Sequence, residues 1–134
     1  MTDLLVYGAY GYTGELIARE AVDRGWDPTL AGRSPEKLDP LAGDLDCPAA
    51  SFPLDGDVAA QVEAFDAVLN CAGPFVDTHD PLVDACIETG THYLDITGEV
   101  DVFESVAGRD ERAADAGVML LPGVGFDVVP SDCL

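Results

Sequence analysis

The sequence predicts an α/β fold, a doubly wound parallel sheet with helices on both faces. Three observations predict it. Short apolar runs alternate with helical patterns along the whole chain, the order expected of strand–helix–strand units. The run Ala67-Val68-Leu69-Asn70-Cys71-Ala72 is almost unbroken in its apolar character, as in a strand buried on both faces. A glycine-rich turn, Gly8-Ala9-Tyr10-Gly11-Tyr12-Thr13-Gly14, joins the first apolar run directly to a helical pattern.

The elements follow in order. A first strand is expected over about Asp3–Tyr7 and its helix over about Tyr12–Arg24, ended by Gly25. Pro28-Thr29-Leu30-Ala31-Gly32 reads as the second strand. Ser34 as N-cap and Pro35 at the first position mark a helix start, and the helix should run to about Ala42. The third strand, Ala49–Leu54, is weaker, because Pro53 demotes it to an edge or ends it. Asp57 can cap a short helix near Val58–Glu63, and the buried strand at Ala67–Ala72 comes fourth. A helix over about Pro81–Glu88 is closed by Gly90, and His92–Ile96 is the fifth strand. Val100–Ala116 reads as helix with a break at Gly108, and Gly117 precedes the last strand, Val118–Leu121. Right-handed crossovers then favour the strand order 3-2-1-4-5-6, a Rossmann-like three-layer arrangement.

Composition narrows the function classes. A chain of 134 residues is one domain by length. With 48% hydrophobic and 24% charged residues it is globular, not disordered. The net charge is -20, from 26 acidic and 6 basic residues, which excludes nucleic acid and anionic membranes as partners. The acids are dispersed and Lys37 is the sole lysine, as in proteins of salt-accumulating halophiles, where salt screens self-repulsion. No apolar run approaches the roughly 18 residues of a membrane span. The chain enters a strand almost at once, so no signal peptide and a cytoplasmic location are expected. Cys47, Cys71, Cys86 and Cys133 lack paired metal spacing, and His79 and His92 stand apart. No metal site is expected, and reduced thiols are the reading.

The glycine turn suits a dinucleotide diphosphate, because glycines permit the tight turn and the helix N-terminus presents donors and partial positive charge. Gly8, Ala9, Tyr10, Gly11, Tyr12, Thr13 and Gly14 are therefore candidate cofactor contacts. At the tip of the second strand stands Ala31-Gly32-Arg33-Ser34, with no acid to take a ribose 2′-hydroxyl. Arg33 can pair with a 2′-phosphate and Ser34 can add a hydroxyl, so NADP is expected over NAD. Asp55 either lies beside the adenine or is exposed next to the cap Asp57. Cys71, Ala72 and Gly73 end the fourth strand, where ligands bind in open α/β sheets, and the small residues leave room for the diphosphate and nicotinamide ribose. Phe75 either walls the nicotinamide or packs in the core. Thr97, Gly98 and Glu99 follow the fifth strand on the same edge. Thr97 as a helix N-cap with Glu99 in the first turn is one reading; a place near substrate or nicotinamide is the other. No Ser-His-Asp set is visible, nor a Tyr-x-x-x-Lys set, since four positions before Lys37 stands Arg33. No residue is assigned as catalytic.

Taken together, these segments resemble the N-terminal NAD(P)-binding domain of saccharopine dehydrogenase-like oxidoreductases, which include trans-acting enoyl reductases. The segments that carry the resemblance are Gly8–Gly14, Ala31-Gly32-Arg33, Asn70–Phe75, Ala85-Cys86 followed by Gly90–Glu99, and Gly123–Asp132. Two details depart from the family pattern: Thr78-His79-Asp80 stands where a glycine is frequent, and Val128 replaces a small polar residue. The resemblance implies hydride transfer between NADP(H) and a small-molecule or lipid substrate by the full-length enzyme, and cofactor binding without turnover by this chain alone. It also implies a division into a cofactor domain over 1–125 and, over 126–134, the start of a connection to a second, substrate domain that would supply homodimer contacts. The alternative is a non-catalytic NADP-binding module that senses redox state or regulates a partner. A sugar-nucleotide-modifying relative of the same fold is the weakest reading.

Overall fold

In the computed structural model, which describes residues 3–124, alternate residues of the first strand feed two separate cores. The strand, β1, spans Leu4–Tyr7. Successive side chains of a strand point to opposite faces. Leu5 and Tyr7 accordingly enter one cluster and Val6 the other. The same alternation splits Ala31 from Leu30 on β2 (Thr29–Gly32).

Six parallel strands form one sheet in the order β3-β2-β1-β4-β5-β6, as the crossover argument predicts. The remaining strands are β3 (Ala49–Ser51), β4 (Ala67–Asn70), β5 (His92–Asp95) and β6 (Leu120–Leu121). β1 pairs with β2 on one side, Val6 opposite Leu30, and with β4 on the other, Val6 opposite Leu69. β3 is the short edge strand that Pro53 foretells, ending two residues before it.

Two helices cover one face, α1 (Tyr12–Asp23) and α2 (Pro35–Leu45). Towards the sheet α1 buries only Gly14 and Ala18, small residues that let the helix lie close. α2 buries Leu38, Leu41 and Ala42, the i, i+3, i+4 stripe of an amphipathic helix. It runs three residues beyond the expected end at Ala42, to an Asp46 cap with φ 54°. Ser34 holds the N-cap position and Pro35 the first turn, but the Ser34 side chain makes no capping bond.

The other face carries α3 (Val58–Val62), α4 (Phe75–Thr89), α5 (Val100–Ala107) and α6 (Asp110–Ala116). Asp57 caps α3, its Oδ1 accepting from the Ala60 amide at 3.2 Å. α4 buries Leu82, Val83, Cys86 and Ile87 against the sheet. It corrects the expectation of a helix starting at Pro81: the helix starts at Phe75, and Pro81 lies inside it. Proline already holds a helical φ, but inside a helix it gives up one donor and its ring crowds the carbonyl four residues back, that of Asp77; the apolar face of α4 buried against the sheet offsets that cost. The expected break near Gly108 separates α5 from α6. Among the described residues, no helix is long and apolar enough to cross a membrane. The expected connection over 126–134, Cys133 and most of the Gly123–Asp132 segment lie outside the described residues.

Candidate cofactor site

The sheet order makes β1 the point where the winding reverses, with β2 and β4 on either side. A crevice opens there beyond the C-terminal ends of the strands. It is a cleft of about 540 Å³, lined by Gly8, Tyr10 and Gly11 of the turn, Gly32, Arg33 and Lys37 after β2, Asp55 after β3, and Cys71, Ala72, Gly73, Asp77 and Thr78 after β4. Eight of the expected cofactor contacts thus come together.

The turn is tight for reasons visible in its glycines. Gly8 has φ 81°, and a Cβ there would lie 2.7 Å from the Ala72 nitrogen. A Cβ on Gly14 would lie 2.2 Å from the Gly8 carbonyl oxygen. The Gly8 and Ala9 amides both donate to the Ala31 carbonyl, at 2.8 and 3.1 Å, and the Gly11 amide donates back to Gly8. These three donors are spent on the fold. Helical bonding begins with Glu15, whose amide donates to the Gly11 carbonyl at 2.8 Å. The first-turn amides of Tyr12, Thr13 and Gly14 have no preceding helical carbonyl and remain for an anion. Ala9 is fully buried and serves packing, while the Tyr12 side chain is 85% exposed at the helix start.

Tyr10 organises the β2 side. Its hydroxyl accepts from the Ser34 amide at 3.2 Å, its ring lies where a Cβ on Gly32 would come within 2.5 Å, and Lys37 Nζ sits 5.9 Å from the ring centroid. Ser34 is held by this backbone bond and does not line the cleft.

The charges are unevenly placed. Arg19 pairs with Glu15 and Asp44, Arg24 with Glu20, Arg109 with Asp80 and Asp84, and Arg112 with Asp84. Arg33 and Lys37 are the remaining two of the 6 basic residues, and among the described residues neither forms an ion pair. Both line the cleft. Sequence reasoning passed over Lys37. Its signal was its place in the first turn of the helix that follows Arg33 and its rarity in the chain.

The β4 wall is polar beneath a small-residue surface. The Cys71 amide donates to the Tyr7 carbonyl at 2.7 Å, and burial, with Asp95 nearby, pushes its thiol up to about 12. The Tyr7 hydroxyl, also lifted to about 12 by burial, donates to the Phe52 carbonyl at 2.9 Å. Phe75 packs against the larger core cluster.

Thr97, Gly98 and Glu99 do not line the cleft. Thr97 is fully buried, and its Oγ1 accepts from the Glu99 amide at 3.0 Å. The N-cap of α5 is Glu99, not Thr97. The Glu99 carboxylate turns to the neighbouring helix, where Oε2 accepts from the Phe75 amide at 3.0 Å. Among the described residues no cluster of His, Cys, Asp or Glu could hold a metal ion.

A family model described as the saccharopine dehydrogenase NADP binding domain matches residues 4–121. The chain is 32% identical over 154 residues to a human saccharopine dehydrogenase-like oxidoreductase, covering 96% of the chain and 35% of the relative. It is 37% identical over 140 residues to a trans-acting enoyl reductase of Mycobacterium tuberculosis, covering 97% of the chain and 34% of the relative. The chain thus spans about a third of the length of these relatives. Its fold is similar to that of apo saccharopine dehydrogenase (L-Glu forming) from Saccharomyces cerevisiae, with a TM-score of 0.82 at 18% identity, over 96% of this chain and 28% of that one.

Proposed function

Because this chain belongs to the family of saccharopine dehydrogenase NADP-binding domains, we propose that it is the cofactor-holding part of an NADP-dependent oxidoreductase. The observation that carries the reading is the placing of Arg33 and Lys37. In a protein of net charge -20, the two cations without an ion pair among the described residues both face one cleft. A 2′-phosphate matches them, and a bare ribose hydroxyl does not.

The residues fit the cofactor elsewhere too. The close approach of Gly8 to Ala72 leaves backbone on both sides of the crevice, and the free amides of α1 suit the diphosphate. Asp55, Ala72 and Gly73 line the cleft; in this reading Asp55 would lie beside the adenine, and Ala72 and Gly73 would border the diphosphate and nicotinamide half. The cofactor supplies hydride chemistry, and this chain supplies binding and orientation. Hydride would pass between NADP(H) and a small-molecule or lipid substrate held partly by a second domain. Residues 1–125 form the cofactor unit in this reading, 126–134 begin the connection, and a homodimer would assemble through the second domain. Among the described residues Cys47, Cys71 and Cys86 are free thiols, and these with the dispersed acids support a reducing, salt-rich cytoplasm as its compartment.

Calorimetric titration with NADPH and NADH in molar KCl tests the proposal. NADPH is expected to bind more tightly. Equal affinities would reject the NADP assignment, and no binding of either would reject the cofactor role.

A further inference from the structure

Asn70 ends β4 and is fully buried, a polar side chain in an otherwise apolar strand. A buried amide persists where its hydrogen-bonding groups are met, so its partners say what it holds. Its Oδ1 accepts from the Ala72 amide at 3.0 Å. Its Nδ2 donates to Thr78 Oγ1 at 3.0 Å and to the Tyr93 hydroxyl at 3.3 Å. Thr78 Oγ1 donates in turn to the Ala72 carbonyl at 2.6 Å. Ala72 is therefore gripped at its N–H and at its C=O. The far end is anchored inside the sheet, where the Tyr93 hydroxyl donates to Asp95 Oδ2 at 2.6 Å.

Ala72 also packs directly on Gly8 in the lining of the crevice, so closely that a Cβ on Gly8 would lie 2.7 Å from its nitrogen. A small movement of Ala72 would therefore shift the β4 wall of the crevice against the glycine turn. We propose that Asn70 is a positioning residue for the cofactor: through Ala72 it fixes where the β4 wall stands against the glycine turn, and so the shape of the crevice that takes the diphosphate and nicotinamide half of NADP. Asn70 is too deeply buried to touch the ligand itself. The adenosine end, at Arg33 and Lys37, lies on the β2 side and outside this network.

The inference rests on the cofactor reading, and two ligands keep the two apart. Adenosine 2′,5′-bisphosphate carries only the adenosine end, whereas NADPH occupies the whole crevice. In calorimetric titration of the chain, Asn70→Ala should weaken NADPH about tenfold, the cost of breaking one buried hydrogen-bonded contact. The bisphosphate should stay within about twofold, as for independent sites. A merely structural role would weaken both alike. Equal losses for both ligands, or none for either, overturn the proposal. A wild-type chain that binds neither ligand overturns the cofactor reading instead. If Asn70→Ala does not fold, Thr78 carries the same test. Thr78→Val should lose NADPH selectively and Thr78→Ser should restore it; two variants that behave alike overturn the proposal.

Discussion

The Phe75 amide donates to Glu99 Oε2 at 3.0 Å, so a carboxylate at the start of α5 closes the N-terminus of α4. A negative group at that place satisfies an orphan donor and complements the helix dipole. Glu99→Ala should cost about 1 kcal/mol of stability in urea unfolding, with Glu99→Gln between it and the wild type. No loss in the alanine variant would show that water replaces the cap.

Arg33 and Lys37 should act on one phosphate. Lys37→Ala and Arg33→Ala are each expected to weaken NADPH about tenfold, the scale of one charge-assisted contact. NADH, which lacks the 2′-phosphate, should shift by less than about twofold. A matching loss for NADH would move these residues away from the ribose.

The contact between Gly14 and Gly8 leaves no room for a methyl group. Gly14→Ala improves helix propensity by roughly 1 kcal/mol. The overpacking it forces costs about 1–3 kcal/mol, and the obstacle here is backbone rather than a movable side chain. A thermal melt should show net destabilisation. A rise in Tm would mean that α1 can slide away from the turn.

The α4–α6 contact should respond to acid. Burial alone would raise the Asp80 carboxyl, but the Arg109 guanidinium at 2.6 Å and the neighbouring His79 bring it below its ordinary value. A carboxyl lowered in the folded state stabilises it above the unfolded value, and that share is lost as pH falls through the folded one. Asp80 is half exposed, so the share is only a few tenths of a kcal/mol. Asp80→Asn should therefore be slightly less stable than wild type at pH 7, and the two should converge below about pH 4. A constant difference down to pH 2 would contradict the ion pair.

Salt should stabilise this protein. The 26 acids are spread over the chain, and raising KCl from 0.1 to 1 M shortens the screening length from about 10 Å to about 3 Å. Tm should climb across that range. A flat or falling Tm would remove the halophilic reading.

The sheet was legible because its signals are local and repeated: apolar runs at strand length, helix stripes, and glycine at the turn. Right-handed crossovers then favoured the order 3-2-1-4-5-6, the common doubly wound arrangement, and the sheet has it. What escaped the sequence depends on distant partners. Thr97 has the chemistry of a cap, yet Glu99 takes the cap position and gives its carboxylate to Phe75, 24 residues away in the chain. Pro81 has the look of a helix start, yet the start lies at the turn after β4, where the Phe75 amide finds that same carboxylate. Asn70 passes for an interruption in an apolar strand until Thr78, Tyr93 and Ala72 are seen around it. Lys37 stood out only after the other cations were seen to be paired.

The packing of Tyr10 over Gly32 limits how cofactor preference could be redesigned or could drift. Any side chain at position 32 would meet the ring within 2.5 Å, so an acid that selects a bare ribose cannot be introduced there without displacing Tyr10. Displacing Tyr10 would also release the Ser34 amide it holds. On the proposed role of Arg33 and Lys37, conversion towards NAD would start at these two positions, where the side chains are exposed. The preference is adjustable at its rim and fixed at its base.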